Sequence, residues 1–269
     1  MTAQPFSARD ATPDDYERYA ELFVELGVPD APPSREEFVA QLRRQIFVVC
    51  DADGRVVGYG MGRVSGPRWY VSNVVTAREA RRRGVGRAIM EEHARRARAQ
   101  GLSSWALNVK RDNVAAIALY ASVGMTIAAR AWAMGIPWND VANLTPSEAH
   151  AVVAVTPDRD EDIEVAFGFA PGFVASERER PARVLVAIEA QGEPAGFASF
   201  DPSFPGASPF RVREARWGRA LLDAVRPHAR PNDAHVRVTV EGDEALAQAL
   251  ALAGGGTYFD LYAMRGALG

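Results

Sequence analysis

The sequence predicts an α/β fold with a mixed sheet flanked by helices, built as two similar halves. Three observations support this. Strand-like and helix-like segments alternate along the chain, short motifs of the first half recur in the second in the same order, and one strand passes into a helix through Gly84 and Gly86. Alternation of this kind favours a sheet covered by helices, and recurring segments indicate a repeated unit.

The elements of the first half follow from capping and periodicity. Thr12, Pro13 and Asp15 supply an N-cap, a first-turn proline and an early acid, which begin a helix. Ser34 and Glu37 form a capping box for a second helix. Apolar periodicity and glycine stops then predict strands 46–51, 56–63 and 68–76, a helix 84–99, a strand 104–109, a helix 113–122 and a strand 125–134.

The amino-acid composition and charge exclude some classes of function. The 269 residues are 48% hydrophobic with a net charge of -3, which is typical of a globular protein. Residues 1–140 carry 19 basic and 16 acidic side chains and the rest carry 12 and 18, and neither balance indicates a nucleic-acid binder. No apolar run reaches the roughly 18 residues that span a membrane, and residues 1–5 lack the blocks of a signal peptide. We therefore expect no nucleic-acid or membrane partner and a cytoplasmic location.

Cysteine and histidine usage predicts no metal site. The single cysteine, Cys50, lies in an apolar run, which favours a buried structural thiol and excludes an internal disulfide framework. The histidines are isolated from one another, with no metal-ligand spacing: His93, His150, His228 and His235.

An internal repeat divides the chain. Residues 107–125 align without gaps to residues 238–256, with six identities, including Asp112 with Asp243 and Gly124 with Gly255. Upstream, residues 78–81, 86–88 and 12–14 recur as residues 213–216, 218–220 and 156–158. We predict two domains of one fold, residues 1–138 and 139–269, with the linker near 135–147, where prolines and asparagines interrupt the periodicity.

The chemistry is predicted where strand 68–76 passes into the following helix. A helix N-terminus presents unpaired N–H groups and a partial positive charge, which bind phosphate. Gly84 and Gly86 let the backbone approach an anion, and Arg81, Arg82, Arg83 and Arg87 add charge around it. Alone, so short a motif is equally compatible with a solvated turn.

Two familiar phosphate loops do not fit this turn. A Walker loop requires Gly-Lys-Ser/Thr, whereas Arg87 and Ala88 follow Gly86. A dinucleotide fingerprint requires a third glycine, and that position is Ile89.

Two longer segments carry a family resemblance. Residues 73–88, Asn-Val-Val-Thr-Ala-Arg-Glu-Ala-Arg-Arg-Arg-Gly-Val-Gly-Arg-Ala, resemble the coenzyme-A-binding motif of the GNAT superfamily of N-acetyltransferases. Residues 107–125 resemble its second motif, and the likeness covers about residues 5–135. It implies an acetyl-CoA-dependent transfer of acetyl to a primary amine, in the small-molecule or peptide class, and a tandem protein with one intact and one degenerate domain.

The resemblance also implies individual roles. Backbone groups of Val74, Val75 and Thr76 should pair with the pantetheine arm, and Asn113 should contact the same region. Tyr120 corresponds to the tyrosine that protonates the departing thiolate. The pyrophosphate should lie on the backbone amides of the turn, Arg82, Arg83, Gly84, Val85, Gly86 and Arg87.

Helical spacing is compatible with the role of Tyr120. Asn113, Ala116 and Tyr120 are three and four residues apart and so share one helix face. A small residue between two polar ones leaves room for a narrow ligand. Without the motif, Tyr120 would be read as a core aromatic.

The general base is unassigned by the sequence. Direct attack requires a neutral amine, so a proton must leave it. In many GNAT enzymes a glutamate on the strand before the glycine turn serves, but strand 68–76 contains no acid. Tyr70, Ser72 or Asn73 could position a water, and Glu21 and Glu25 are further candidates, each also compatible with a structural role.

The second half shows a damaged site. Only Trp217 stands between Arg216 and Gly218, so three residues and one glycine of the turn are missing. In the ungapped alignment Ala251 replaces Tyr120 and Glu244 replaces Asn113. This half is expected to be a scaffold or a wall of the acceptor pocket, and its charge of -6 predicts a cationic acceptor. A non-catalytic acyl-CoA-binding module is the competing hypothesis, and the acyl-chain preference and oligomeric state stay open.

Overall fold

A computed structural model describes residues 6–42, 46–147 and 149–269. The expectation about a signal peptide concerns residues 1–5, which lie outside this range. Across the described part of the chain, no helix combines the length and apolarity needed to cross a bilayer. In the same residues, no three His, Cys, Asp or Glu side chains are grouped so as to hold a metal ion.

The first half contains six strands and four helices among its described residues. They are β1 (Ser7–Asp10), α1 (Tyr16–Phe23), α2 (Arg35–Gln41), β2 (Ile46–Cys50), β3 (Val56–Ser65), β4 (Arg68–Thr76), α3 (Val85–Ala99), β5 (Ser104–Lys110), α4 (Val114–Ser122) and β6 (Thr126–Pro137).

The second half repeats this order. Its elements are β7 (Ala151–Val153), α5 (Asp160–Phe167), α6 (Phe173–Arg178), β8 (Val184–Ala190), β9 (Glu193–Asp201), β10 (Gly206–Val212), α7 (Gly218–Val225), β11 (His235–Glu241), α8 (Glu244–Leu252) and β12 (Gly256–Ala267).

All the described strands form one mixed sheet, in which the two halves exchange their last strands. The order is β1-β2-β3-β4-β5-β12-β6-β11-β10-β9-β8-β7. Strand β12 lies between β5 and β6, and β6 lies between β12 and β11, all antiparallel. The mixed α/β fold in two similar halves is therefore confirmed, and each half completes the sheet of the other.

Local capping forms the predicted helix starts. The Asp15 carboxylate accepts the Thr12 N–H at 2.8 Å, ahead of α1. Ser34 and Glu37 form the predicted reciprocal pair, at 2.7 and 3.2 Å. Cys50 is a free, buried thiol, as expected, and burial raises its pKa.

The two faces of the first-half sheet carry different helices. A Cβ on Gly58 or Gly60 would meet side chains of α3, so these positions face that helix. Tyr59, between them, points the other way and packs on Tyr19 of α1, with ring centroids 4.7 Å apart. We call these the α3 face and the α1 face.

Two expectations from the sequence are wrong in detail. Residues 135–137 are not linker, because they continue β6 and pair with residues 235–237 of β11. The ungapped alignment also fails within the repeat, because the loop before α8 is one residue shorter than the loop before α4. Helix N-cap Asn113 therefore corresponds to N-cap Asp243, and Tyr120 corresponds to Leu250.

Candidate functional site

The turn between β4 and α3 has a backbone suited to an anion. After a short 3-10 helix at Arg78–Ala80, the chain turns with φ of 64° at Arg82 and 95° at Gly84. The first helical bond joins the Ala88 N–H to the Gly84 carbonyl at 3.0 Å. Among the described residues, the six N–H groups from Arg82 to Arg87 donate no hydrogen bond. Such a row of donors at a helix N-terminus fits the oxygens of a pyrophosphate.

Glycine is favoured at two positions of this turn. The positive φ of Gly84 strains any residue that carries a Cβ. A Cβ on Gly86 would lie 3.0 Å from a methyl group of Leu119 and 3.8 Å from the Thr76 hydroxyl. The turn is therefore in contact distance of both α4 and the end of β4.

Strands β4 and β5 form a fork that opens toward this turn. They pair in parallel only at Trp69 with Trp105 and Tyr70 with Ala106. From Val71 to Thr76, β4 pairs with β3 alone, apart from a bulge opposite Met61 and Gly62. The edge of Val74, Val75 and Thr76 that faces β5 is thus available to an extended ligand.

Helix α4 borders the same fork. The Asn113 side chain caps it by accepting the Ala116 N–H at 3.1 Å. Ala116 and Val74 are half-buried and pack against the cluster that contains Tyr120. The Tyr120 side chain is 8% exposed, and burial raises its pKa to about 12. A phenol with this pKa keeps its proton at neutral pH and can donate it.

The sequence predicted no role for His93, yet this residue lies at the centre of the first half. It is fully buried on α3, and its Nδ1 accepts the indole N–H of Trp69 at 3.1 Å. This leaves Nε2 as the protonated nitrogen, which donates to the Asn73 carbonyl at 3.3 Å. Burial lowers the His93 pKa to about 3, so the ring is neutral. The histidine ties α3 to β4 beside the bulge, and a lone His on a helix gave no signal of this in the sequence.

The structure narrows the candidates for a general base. Glu21 is bound to Arg18 and Glu25 to Arg81, at 2.8 and 2.5 Å. Burial raises the pKa of Tyr70, so its phenol is protonated at neutral pH and cannot accept a proton.

The remaining two candidates lie on β4. Ser72 is exposed, and the Asn73 amide lies 3.5 Å from the Tyr59 hydroxyl. Both stay within reach of the fork, where either could position a water.

A cavity of about 460 Å³ lies between the halves, beside the apex of the fork. Its lining includes Tyr70 and Ala106, which are the last residues paired between β4 and β5 and form the apex of the fork. It also includes Leu107 and Asn108, the first residues of β5 beyond that pairing. The opposite walls come from the second half, around α5, α6, β10 and β11. The second half therefore does more than cover a surface, because it encloses space next to the fork.

The second half retains the fold of the strand–turn–helix unit without its turn. The 3-10 helix Ala215–Trp217 passes directly into α7, so Arg81–Gly84 has no counterpart and four residues are missing rather than three. The Gly218 N–H bonds to the Ala215 carbonyl, and Trp217 is 1% exposed in the core. Leu250, which takes the place of Tyr120, is fully buried and has no proton to donate.

Comparison with known proteins identifies the class. Residues 12–125 match the model of the acetyltransferase (GNAT) family. A GNAT-related N-acetyltransferase from Sphaerobacter thermophilus superposes with a TM-score of 0.68 at 18% identity, covering 100% of this chain and 97% of that one. A putative acetyltransferase from Pyrococcus horikoshii gives 0.65 at 18% identity, covering 98% and 90%. A comparison with curated proteins gave no match.

The family match lies in residues 12–125, within the first half, and makes the protein an acyltransferase. The whole chain also superposes on a tandem GNAT protein from the clavulanic acid biosynthesis pathway, with a TM-score of 0.60 at 18% identity and coverage of 98% and 99%. The chain accordingly has a tandem GNAT fold, and its second half lacks the turn that separates the 3-10 helix from α3 in the first half. GNAT enzymes use acetyl-CoA and amine acceptors.

Proposed function

We propose that this protein transfers acetyl from acetyl-CoA to a primary amine, with residues 1–138 as the catalytic domain and residues 139–269 as its degenerate partner. The observation that carries the proposal is the row of six N–H groups from Arg82 to Arg87, which have no partner in the described part of the chain and lie at the mouth of an open strand fork. In this arrangement the pyrophosphate lies on the turn and the pantetheine arm runs along Val74–Thr76 toward Tyr120.

The catalytic step is a direct attack of the amine on the thioester carbonyl. A C–N bond forms, the C–S bond breaks, and Tyr120 gives its proton to the departing sulfur. The position of Tyr120 supports this role, because it lies on α4 beside the fork and packs in the cluster that Ala116 and Val74 border. The attacking amine loses its proton to a water, which Ser72 or Asn73 is placed to hold.

The test is release of free thiol from acetyl-CoA in the presence of a panel of amines, beside calorimetric titration with coenzyme A. We expect amine-dependent thiol release and one coenzyme A per chain, because α7 lacks the turn. Two sites per chain would contradict the assignment of the second half as degenerate. Tight binding without thiol release for any amine would make the protein an acyl-CoA-binding module.

A further inference from the structure

The cavity between the halves has a polar floor on the α1 face of the sheet. Cross-strand pairing places Arg63, Tyr70, Ala106 and Arg265 side by side on β3, β4, β5 and β12. Arg68 lies two residues from Tyr70 on β4, on the same face of the sheet, and also lines the cavity. Arg63 stands over the Tyr70 ring at 4.6 Å. Because directly paired residues share a face of the sheet, these side chains point into one space.

The walls are apolar and come from the second half. They include Phe167, Phe169 and Phe173 around α5 and α6, and Phe210 on β10. Phe169 and Phe173 are stacked with ring centroids 4.6 Å apart. The β3–β4 turn is held against α6 by a bond from the Gly66 N–H to the Ser176 hydroxyl at 2.8 Å. The cavity thus combines a charged floor with an aromatic wall.

The charged lining is predominantly basic. Five arginines line the cavity against three acids, which are Glu177, Glu241 and Asp243. All three acids have partners. Glu241 binds Arg265 at 2.5 Å, Glu177 binds Arg180 at 2.6 Å, and Asp243 caps α8 through the Leu246 N–H at 2.9 Å. The second half contributes three arginines and three acids to the lining, so its net negative charge is not present in this cavity. The cationic acceptor stays a prediction that this cavity does not support.

The guanidinium of Arg68 carries the N–H donors that a bound ligand would pair with. Within the described part of the chain its guanidinium donates no hydrogen bond and has no carboxylate within salt-bridge distance. Burial and the neighbouring Arg265 lower its pKa, and they outweigh the attraction of Glu241, which is itself bound to Arg265. A carboxylate on the ligand would relieve this by accepting two parallel N–H groups.

We propose that the cavity binds an acceptor that carries an anionic group and an apolar side chain beside its amine, with Arg68 as the counter-ion. An apolar amino acid has this chemistry. The inference rests on the proposed function for the identity of the attacking group. The anionic group lies on Arg68, the apolar group against the phenylalanines, and the amine toward the fork apex at Tyr70.

The test compares two matched ligands, phenylalanine and phenylalaninamide, which differ only in the carboxylate. Their binding is measured by calorimetry without any acyl donor, and their thiol release is measured with acetyl-CoA. We expect the wild type to prefer phenylalanine by about tenfold or more, the range for a hydrogen bond to a charged group. The amide has the less basic amine, so intrinsic reactivity alone would favour it. O-phosphoethanolamine, as a third ligand, distinguishes a phosphate from a carboxylate as the anion.

The variants separate the role of Arg68 from stability. Arg68→Gln should lose the preference for phenylalanine, and Arg68→Lys should keep part of it. Arg230→Gln removes an exposed arginine of the second half outside the cavity and should behave as the wild type. Equal binding of the two ligands to the wild type, or an unchanged preference in Arg68→Gln, would overturn the inference. Binding of phenylalanine without thiol release would uphold it and contradict the proposed function.

Discussion

The two halves use the same strand–turn–helix unit in opposite ways. In the first, four residues, Arg81–Gly84, separate the 3-10 helix from α3, and the six N–H groups from Arg82 to Arg87 have no partner among the described residues. In the second, the 3-10 helix runs straight into α7, and the Gly218 N–H donates to the Ala215 carbonyl within this junction. The comparison shows that the fold does not need the turn. This agrees with the proposal that the four extra residues serve the coenzyme A, because the strands and helices form without them.

The fork itself does not distinguish the halves. Strands β10 and β11 pair in parallel at only two positions, as β4 and β5 do. The helix that follows the fork is also equally close in both halves, since a Cβ on Gly218 would lie 2.8 Å from Leu246 and one on Gly86 would lie 3.0 Å from Leu119. The halves differ in the turn before that helix, with the backbone architecture around it retained.

The largest expected effect comes from substitutions that block the N–H groups in the turn of the first half. Gly84→Glu places a carboxylate among the free N–H groups, and we expect the dissociation constant for coenzyme A to rise at least roughly 100-fold, since two charge-assisted hydrogen bonds are lost. Gly86→Glu should act similarly through Leu119. Calorimetric titration measures the effect.

The control for Gly84→Glu lies in the second half. Gly192 also has a positive φ, 82°, with no atom near its missing Cβ, so Gly192→Glu carries a similar backbone strain far from the turn. It should lose a similar stability, about 1–2 kcal/mol, and keep wild-type affinity. Unchanged affinity in Gly84→Glu would place the phosphate site elsewhere.

A smaller effect is expected at the proposed proton donor. Tyr120→Phe removes the hydroxyl and keeps the ring packing, so kcat should fall by roughly 10²-fold, the lower end for positioned proton transfer. The affinity for acetyl-CoA and the free energy of unfolding should stay near those of the wild type. Steady-state kinetics gives kcat, and a cofactor titration on the same preparation gives the affinity for acetyl-CoA. Tyr258→Phe, at a half-exposed ring of the second half, is the matched control. A full kcat in Tyr120→Phe would show that Tyr120 is a packed core aromatic and not the proton donor.

The smallest effect concerns stability against pH. His93 binds its proton with a pKa of about 3 when folded, compared with 6.5 for the free side chain. The unfolded chain therefore binds more protons between these values, and the free energy of unfolding falls as the pH drops through this window, by about 1.4 kcal/mol per pH unit. Denaturant unfolding at pH 6.5 and pH 5 should show a shallower fall in His93→Gln than in the wild type.

His228→Gln, at an exposed histidine of the second half, controls for the loss of a titrating side chain. A wild-type slope in His93→Gln would show that the acid sensitivity arises from other groups. No residue within α7 corresponds to His93, because α7 has eight residues and α3 has fifteen. The effect is thus a property of the first half.

Local features of the chain were predictable because they depend on near neighbours. The caps at Thr12 and Ser34 and the turn at Gly84 involve hydrogen bonds or dihedral angles within four residues, and the structure has each of them. The repeat was also visible, although a one-residue deletion before α8 moved the partner of Tyr120 from Ala251 to Leu250. Sequence identity over a short helix of alanines and leucines is a weak guide to register, whereas the N-cap hydrogen bond fixes it.

The sequence by itself determined the fold class, the repeat, the glycine turn before α3 and the loss of that turn in the second half. All of these follow from residue types that restrict nearby backbone. Only the tertiary structure decided the exchange of β6 and β12, the buried position of His93 and the arginine-rich cavity between the halves. Each depends on pairing between segments that are distant in sequence, such as Ala131 with Leu261. The strands β6 and β12 are apolar and of equal length, so each fits either neighbouring edge of the sheet. The alternation of residue types therefore predicts that a strand forms but not which strand it pairs with.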